Sequence, residues 1–488
     1  MSEGEKFLDH PTEFFIDGAW VTPASTSRFD VIQPATEALF VRVAEAQTAD
    51  IDRAVAAARR AFDDGPWPRL SPLERAAYLR RIGAAMARRG DAFATLWSAQ
   101  TGLTHSLSKA LSPVAAGAFG DYADLGERFA FVERHMPQWG EPVGLLVREP
   151  VGVVAAIVPW NAPLPLLAYK TAPALLAGCT VIIKASPEAP ADALLFAQAV
   201  EEAGLPPGVV NVVTADRAVS EGLVRDARVD KVTFTGSTAA GKTIAAICAQ
   251  RMARVSLELG GKNAAIVLDD FDIETAAKTL APLYLSGQAC GAMTRVLVSR
   301  DRHDRMVEAL DSVFASLKVG DPFDPATQVG PLATARQRER VERYIAIGEA
   351  EGARLTTGGG RPAHLDRGFF VEPTVFAGVD NAMTIAREEI FGPVIAVIPF
   401  ESEADAVRIA NDSDFGLNAS VYTPDADRFY RLARQIRSGT VGHNGVRGDF
   451  GIGWGGFKQS GIGREGGVGG LMPFLEAKTL IMDAEPQL

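Results

Sequence analysis

"KVTFTGSTAAGKT", residues 231–243, contains a match to G-x-x-x-x-G-K-[ST], the Gly-rich loop that cradles phosphates in nucleotide hydrolases. The apolar "KVTF" predicts a short strand and "AAGKTIAAICAQRM" a helix, which is the order such a loop requires. Downstream, "AAIVLDD", residues 264–270, imitates the apolar strand ending in an Asp that would hold Mg²⁺. A strand–turn–helix of this kind serves several folds, so the surrounding chain decides what it is.

From residue 151 onward, strand and helix signals alternate. "VGVVAAIV" precedes a Pro-rich turn, "LLAYKTAPALLAG" predicts a helix, "TVIIKA" a strand, "ADALLFAQAVEEAG" a helix and "VVNVVTA" a strand, after which comes residues 231–243. Strands separated by helices of about a dozen residues imply βαβ units and a parallel sheet. A second α/β series follows "ELGG" at Glu258 through "NAAIVLDD", "RVLVSR", "RMVEALDSVFASLKVG" and "GPVIAVIPF". Residues 49–96 are Ala- and Arg-rich with helical spacing, and Ser71, Pro72 and Glu74 carry a capping signature. "GEPVGLLVREP" and "TLIMDAE" read as strands outside both series, candidates for pairing with a neighbouring subunit.

The chain has 488 residues, 47% hydrophobic and 22% charged, with 47 Gly and 29 Pro. That length predicts two or three domains, and the composition a compact protein rich in tight loops. A net charge of −11 argues against a nucleic-acid surface, and no basic run suggests a membrane patch. The acidic N-terminus lacks an apolar signal core, and three prolines and an Asn interrupt the apolar run 151–169, so a cytoplasmic protein is expected. Cys179, Cys248 and Cys290 are too few for a disulfide framework. Six scattered histidines show no ligand spacing, so no metal site is expected.

Several residues stand out on chemical grounds alone. Cys290 lies between Ala289 and Gly291, small neighbours that leave its sulfur reachable, and a modest downward shift from about 8.5 would yield usable thiolate. Cys179 and Cys248 read as small buried apolar side chains. Glu258 ends the apolar "VSLEL" just before two glycines, where a carboxylate can approach a ligand. Asn161 follows "VPW" after a buried strand and, on local grounds, is a turn former.

"VPWNAPLPLLAYKTAPALLAGCTVIIKAS", "FTGSTAAG", "VSLELGGKNAAIVLDD", "SGQACGAMTR", "EEIFGPV" and "GGFKQSGIGREGG" occur in one order along the chain. In that order and near that spacing they resemble the aldehyde dehydrogenase superfamily, over roughly residues 12–480. The resemblance implies an α/β fold: a Rossmann-like parallel-sheet cofactor domain (1–127 and 151–257), an α/β catalytic domain (258–456), and a small β oligomerisation element with a C-terminal arm (128–150 and 457–488). It makes "FTGSTAAG" a cofactor-binding turn, with Lys242 following it by accident.

By the same resemblance Cys290 is the nucleophile, Glu258 the base that activates water, and Asn161 a donor to the developing oxyanion. Lys170 and Glu465 fall where the family relays protons. Cofactor contacts are implied for Trp160, Lys184, Gly236, Ser237, Glu389 and Phe391. The acid expected three residues after Lys184 is replaced by Pro187, with Glu188 next. NAD remains the expected cofactor, with Glu188 as a candidate contact and NADP open. Ala162, Leu166, Tyr169, Tyr284 and Trp454 fall on the implied pocket walls; they are mostly apolar or aromatic and point to an aromatic, terpenoid or aliphatic aldehyde. His443, Arg447 and Asp449 are candidates to face substrate, and Arg447 keeps a carboxylated semialdehyde open. The expected product is the carboxylic acid, formed through a thiohemiacetal and a thioester on Cys290, in a homodimer or homotetramer. A coenzyme A-acylating relative and a non-catalytic protein on the same scaffold are the alternatives.

Overall fold

The computed structural model describes residues 3–140, 143–281, 284–484 and 486. Lys231–Thr235 is a buried strand inside an eight-stranded sheet. The order is Gly461–Ile462, Arg254–Glu258, Lys231–Thr235, Val153–Ile157, Thr180–Ala185, Val210–Thr214, Phe14–Ile16 and Ala19–Val21. The five strands from Arg254–Glu258 to Val210–Thr214 run parallel, and antiparallel strands close both edges. Helices cover both faces, which is why the central strands are apolar throughout rather than alternating. Val154 and Ala156 pack into one core with helices Pro163–Ala177 and Ala191–Ala203. Val153, Ala155 and Ile157 point the other way, onto helices Thr48–Asp63 and Thr238–Gln250.

The second series forms a seven-stranded sheet. Its order is Arg354–Thr357, Thr374–Ala377, Val394–Phe400, Met293–Ser299, Asn263–Val267, Asn418–Tyr422 and Thr440–His443, all parallel except the first pair. Ala264 and Ile266 enter the core on one face, Ala265 and Val267 that on the other. The hydrolase reading of residues 231–243 fails here. Asp270 follows a strand of this second sheet and is bound to Arg428 and Thr423, whereas the supposed phosphate loop belongs to the first sheet. Lys242 is exposed on its helix.

The two strands expected to lie apart are partners of each other. Val143–Pro150 pairs antiparallel with all of Leu475–Met482, and Val132–His135 adds a third strand. The eight-residue ladder pairs one edge of Leu475–Met482 within the chain and leaves that strand at the edge of its sheet. Gly461–Ile462 returns to the first sheet beside Leu257 and Glu258. Only glycine fits at 461: its φ is +145° and a Cβ would lie 2.0 Å from the Leu257 carbonyl oxygen. The apolar run 151–169 divides into Val153–Ile157 and the start of Pro163–Ala177. Among the described residues no helix is long and apolar enough to cross a membrane.

Candidate active site

Three neighbouring strands of the first sheet deliver residues at their carboxyl ends, the edge at which open parallel sheets place ligands. Val153–Ile157 runs into Trp160 and Asn161, Lys231–Thr235 into Gly236 and Ser237, and Arg254–Glu258 ends on Glu258 itself. From the second sheet, Cys290 precedes strand Met293–Ser299 and Glu389 precedes strand Val394–Phe400. Trp160, Asn161, Gly236, Ser237, Cys290, Glu389 and Phe391 line one cleft between the two sheets.

Asn161 is 8% exposed, and its Nδ2 donates to the main-chain oxygen of Gln288 at 2.9 Å, two residues before Cys290. Its own carbonyl accepts from Trp97 Nε1 at 3.0 Å, so the turn is held independently of the side chain. The Cys290 loop is anchored by Asn263, whose Nδ2 donates to the carbonyls of Cys290 and Ala292 at 2.7 and 2.8 Å. Cys290 is partly exposed, whereas Cys179 and Cys248 are buried. Desolvation, aided by Glu389 and Glu258, pushes the Cys290 thiol up to about 12. The sequence suggested a downward shift; burial, with the neighbouring carboxylates, reverses it, since both disfavour the thiolate.

Glu258 is 4% exposed and Oε2 makes no hydrogen bond. Burial raises it well above the usual carboxylate range; Glu465 adds to the rise, and Lys170 and Arg464 oppose it. Lys170 and Glu465 form a buried ion pair. The Trp454–Gly455 dipeptide joins this region to the nucleophile. The Trp454 ring lies 3.0 Å from where a Cβ on Gly291 would stand, and Glu258 Oε1 lies 2.6 Å from where one on Gly455 would stand. Trp454 and Glu465 also form a β-bridge, with hydrogen bonds of 2.6 and 2.7 Å.

The cofactor candidates fall into two groups. Ser237 caps helix Thr238–Gln250 by accepting from the Ala240 N–H, and the helix's first N–H groups face the cleft side. Glu389 Oε1 accepts from the Gly261 N–H at 3.0 Å, and a Cβ on Gly260 would come within 2.5 Å of Glu389 Oε2. Phe391 has φ 64° and meets Trp160 edge-on at 5.5 Å. Such a conformation in a bulky residue is strained, and strain of this kind collects at ligand sites. Burial lowers Lys184 to about 8. Glu188 is engaged elsewhere, by Ser186 at 2.5 Å and Arg336 at 2.7 Å.

Of the pocket-wall candidates, Leu166, Tyr169 and Trp454 are buried and Ala162 caps helix Pro163–Ala177. The side chain of Tyr284 lies outside the described residues. Phe450, which sequence reasoning missed, stacks on Tyr169 at 4.1 Å and on Trp454 at 5.8 Å, making one aromatic wall. His443 does not face this wall: it hydrogen-bonds the Thr423 carbonyl at 2.8 Å and stacks on Phe429. Arg447 and Asp449 are exposed. Gln288, which holds Asn161, and Arg340, which binds the Glu389 carbonyl at 2.6 Å, were also missed. Gln288 stands inside "SGQAC", but it acts through its main chain, which no residue pattern marks.

The model of the Aldehyde dehydrogenase family matches residues 20–480. The chain is 45% identical to geranial dehydrogenase of Castellaniella defragrans, over 94% of this chain and 96% of that one. It is 41% identical to a 3-succinoylsemialdehyde-pyridine dehydrogenase of Pseudomonas sp, over 96% and 98%. A crystal structure of a mutant aldehyde dehydrogenase AldC from Pseudomonas syringae, complexed with NAD⁺ and octanal, superposes with a TM-score of 0.94 at 39% identity, covering 99% of both chains.

Proposed function

The chain belongs to the aldehyde dehydrogenase family and is an oxidoreductase acting on aldehydes, and on that premise we propose that Cys290 is its nucleophile, Asn161 its oxyanion donor and Glu258 its hydrolytic base. The observation that carries this reading is the convergence of Cys290 and Asn161 on one cleft, with Glu258 behind Trp454–Gly455. The cofactor is NAD(P), in keeping with the NAD⁺ complex of the AldC relative. The residues fit a dinucleotide: a 13-residue helix opens at Gly236–Ser237 beside the aromatic Trp160–Phe391 corner and the Glu389 carboxylate. Trp160, Gly236, Ser237, Lys184, Glu389 and Phe391 would hold it, and it supplies the hydride acceptor.

Cys290 Sγ bonds to the aldehyde carbon as the thiol proton passes to solvent water. Asn161 Nδ2 and the Cys290 N–H donate to the oxygen as it gains charge, a contribution worth about 10²–10³ in rate per donor. Once the carbon stands at the acyl level, Glu258 takes a proton from water as the water oxygen attacks the thioester. The acid is released and Cys290 is restored. Deacylation needs the ionised form of Glu258, so its raised value makes this half-reaction quicken as pH rises. Lys170 and Glu465 carry the proton onward.

The Tyr169–Phe450–Trp454 wall favours an apolar aldehyde, in line with the geranial dehydrogenase relative. A carboxylated semialdehyde is the second reading, with exposed Arg447 as the residue that would meet its carboxylate. The exposed Val132, Leu480 and Ile481 on the three-stranded sheet suit a homodimer or homotetramer. Cofactor reduction followed by absorbance with geranial, decanal, benzaldehyde and succinate semialdehyde, with and without coenzyme A, tests the reading. Preference for succinate semialdehyde refutes the apolar pocket, and dependence on coenzyme A refutes hydrolysis by Glu258.

A further inference from the structure

The turn that carries Cys290 lies just outside strand Met293–Ser299, so its carbonyls need partners that the sheet ladder does not supply. The Ala292 N–H donates to the Ala289 carbonyl at 3.0 Å and closes the turn. The strand then joins Asn263–Val267 through an irregularity: Asn263 lies opposite Met293 and Ala264 opposite Arg295, so Thr294 is skipped. Side-chain amides take the place of the missing ladder. Asn263 Nδ2 donates to the carbonyls of Cys290 and Ala292 at 2.7 and 2.8 Å, and its Oδ1 accepts from the Asn418 N–H at 3.0 Å. Asn418 Nδ2 donates to the Gly291 carbonyl, between those two, at 3.3 Å. Both asparagines are buried, at 3% and 2% exposure, and open neighbouring strands of the second sheet.

The chain makes room for this contact. A Cβ on Gly261 would stand 2.7 Å from both the Cys290 oxygen and Asn263 Oδ1, so glycine alone lets the two approach. Asn418 Nδ2 also reaches the Arg447 carbonyl at 3.5 Å, tying the turn to the segment that continues into Phe450 and Trp454. A trans peptide is planar and holds its C=O and N–H on opposite sides. The Cys290 carbonyl, drawn to Asn263, therefore sends the N–H of the same peptide, that of Gly291, the other way. That N–H meets the Cys290 sulfur. Desolvation first, then Glu389, Glu258 and Glu465, hold the thiol up at about 12, and the Gly291 N–H works against them.

We propose that Asn263 and Asn418 are positioning residues for the nucleophile: their amides hold the carbonyls of Cys290, Gly291 and Ala292 from behind, and so keep the Gly291 N–H on the sulfur as it gains negative charge. This rests on Cys290 being the nucleophile. A donor fixed in advance costs no reorganisation when charge develops. The sulfur carries charge twice, as its proton leaves before attack and as the thioester breaks, so one N–H serves both half-reactions. The charged groups around it are Glu389 before strand Val394–Phe400, Glu258 at the end of Arg254–Glu258, Glu465 with its partner Lys170, and Arg340, which lines the cleft.

The test reads iodoacetamide alkylation of cofactor-free protein from pH 7 to 10, and the burst of cofactor reduction, in Asn263→Ala, Asn263→Ser, Asn418→Ala and the parent. Cys290→Ala supplies the background from Cys179 and Cys248. Alkylation of Asn263→Ala should slow about tenfold at every pH, as expected when a thiol rises by about one pH unit. Its burst should slow to a similar degree, while KM for the aldehyde and cofactor affinity stay within about twofold. Asn263→Ser keeps one donor and should lose less than Asn263→Ala. Asn418→Ala gives up only the longer bonds and should also lose less, so either variant decides the matter if Asn263→Ala folds poorly. Parent-like alkylation and burst in the variants that fold overturn the proposal, for then the amides merely satisfy the turn. Faster alkylation overturns it as well, since it marks a sulfur uncovered by a loosened turn, and so does a loss confined to cofactor affinity. Full turnover by Cys290→Ala refutes instead the nucleophile beneath it.

Discussion

Replacing Asn161 by Ala removes one donor and little else. The Asn161 carbonyl, not its side chain, receives Trp97 Nε1 at 3.0 Å, so the turn after Val153–Ile157 keeps its anchor. The side chain loses the 2.9 Å bond to the Gln288 carbonyl, which is left unpaired; that stability cost is about 1–3 kcal/mol. The kinetic cost is larger. A preorganised donor aimed at developing oxyanion charge is worth about 10²–10³ in rate, or about 2.7–4 kcal/mol. Because Nδ2 must share or leave Gln288 to serve the oxyanion, the expected loss in kcat/KM lies at the lower end, about 10². The loss should appear in the burst rate of cofactor reduction, while cofactor affinity, measured by fluorescence titration, stays within about twofold. Asn161→Asp should lose more, since it puts an acceptor and a negative charge where a donor is needed, beside a thiol already pushed up to about 12. A loss below threefold in Asn161→Ala, or an Asp variant as active as the Ala variant, refutes the oxyanion assignment.

Glu258→Gln should retain the burst and lose about 10² or more in steady-state rate, since only deacylation needs the base. The folded-state carboxyl is raised, so its stabilising contribution is complete at acid pH and is lost as pH rises. The Gln variant should therefore melt with the parent near pH 4 and above it at pH 8; the opposite order counts against a buried, neutral Glu258. Alkylation of cofactor-free protein by iodoacetamide should rise about tenfold per pH unit from pH 7 to 10 without levelling, as a Cys290 thiol near 12 demands. A plateau below pH 8 would mean a thiolate already formed. Asp192, fully buried with one oxygen unpaired, is raised from 3.8 to about 7 by desolvation. Its contribution fades between those values, by about three units at ~1.4 kcal/mol each, on the order of 4 kcal/mol. Asp192→Asn should remove that part of the decline in urea midpoint between pH 5 and 8, and an unchanged decline refutes it.

The strands and helices of both sheets were legible because they are long, apolar and bounded by glycine and proline. "TVIIKA" and "VVNVVTA" have no polar face and so belong inside a covered parallel sheet, and Thr180–Ala185 and Val210–Thr214 lie there. Cys290, Glu258 and Asn161 were named from motif order; Cys290 and Asn161 line one cleft at the carboxyl edge of the first sheet, while Glu258 ends a strand of that sheet beside Gly455. Less readable was every feature that depends on what comes close from far along the chain. Phe450 completes an aromatic wall with Tyr169 across 281 positions, and Gln288 restrains Asn161 across 127 through a carbonyl that any residue would carry. The turn of His443 toward Phe429 has no local signal either.

The sequence by itself determined which segments become buried strands, which thiol stands among small neighbours, and that residues 231–243 open a helix onto a ligand cleft rather than a hydrolase site. Tertiary structure alone decided the ionisation of Glu258 and Cys290, the pairing of Val143–Pro150 with Leu475–Met482, and the stacking of Phe450 on Tyr169. The reason is one of range. Periodicity and turn chemistry act over a few residues and are written locally, whereas desolvation and charge act through space, between groups that only the folded chain brings within a few ångströms.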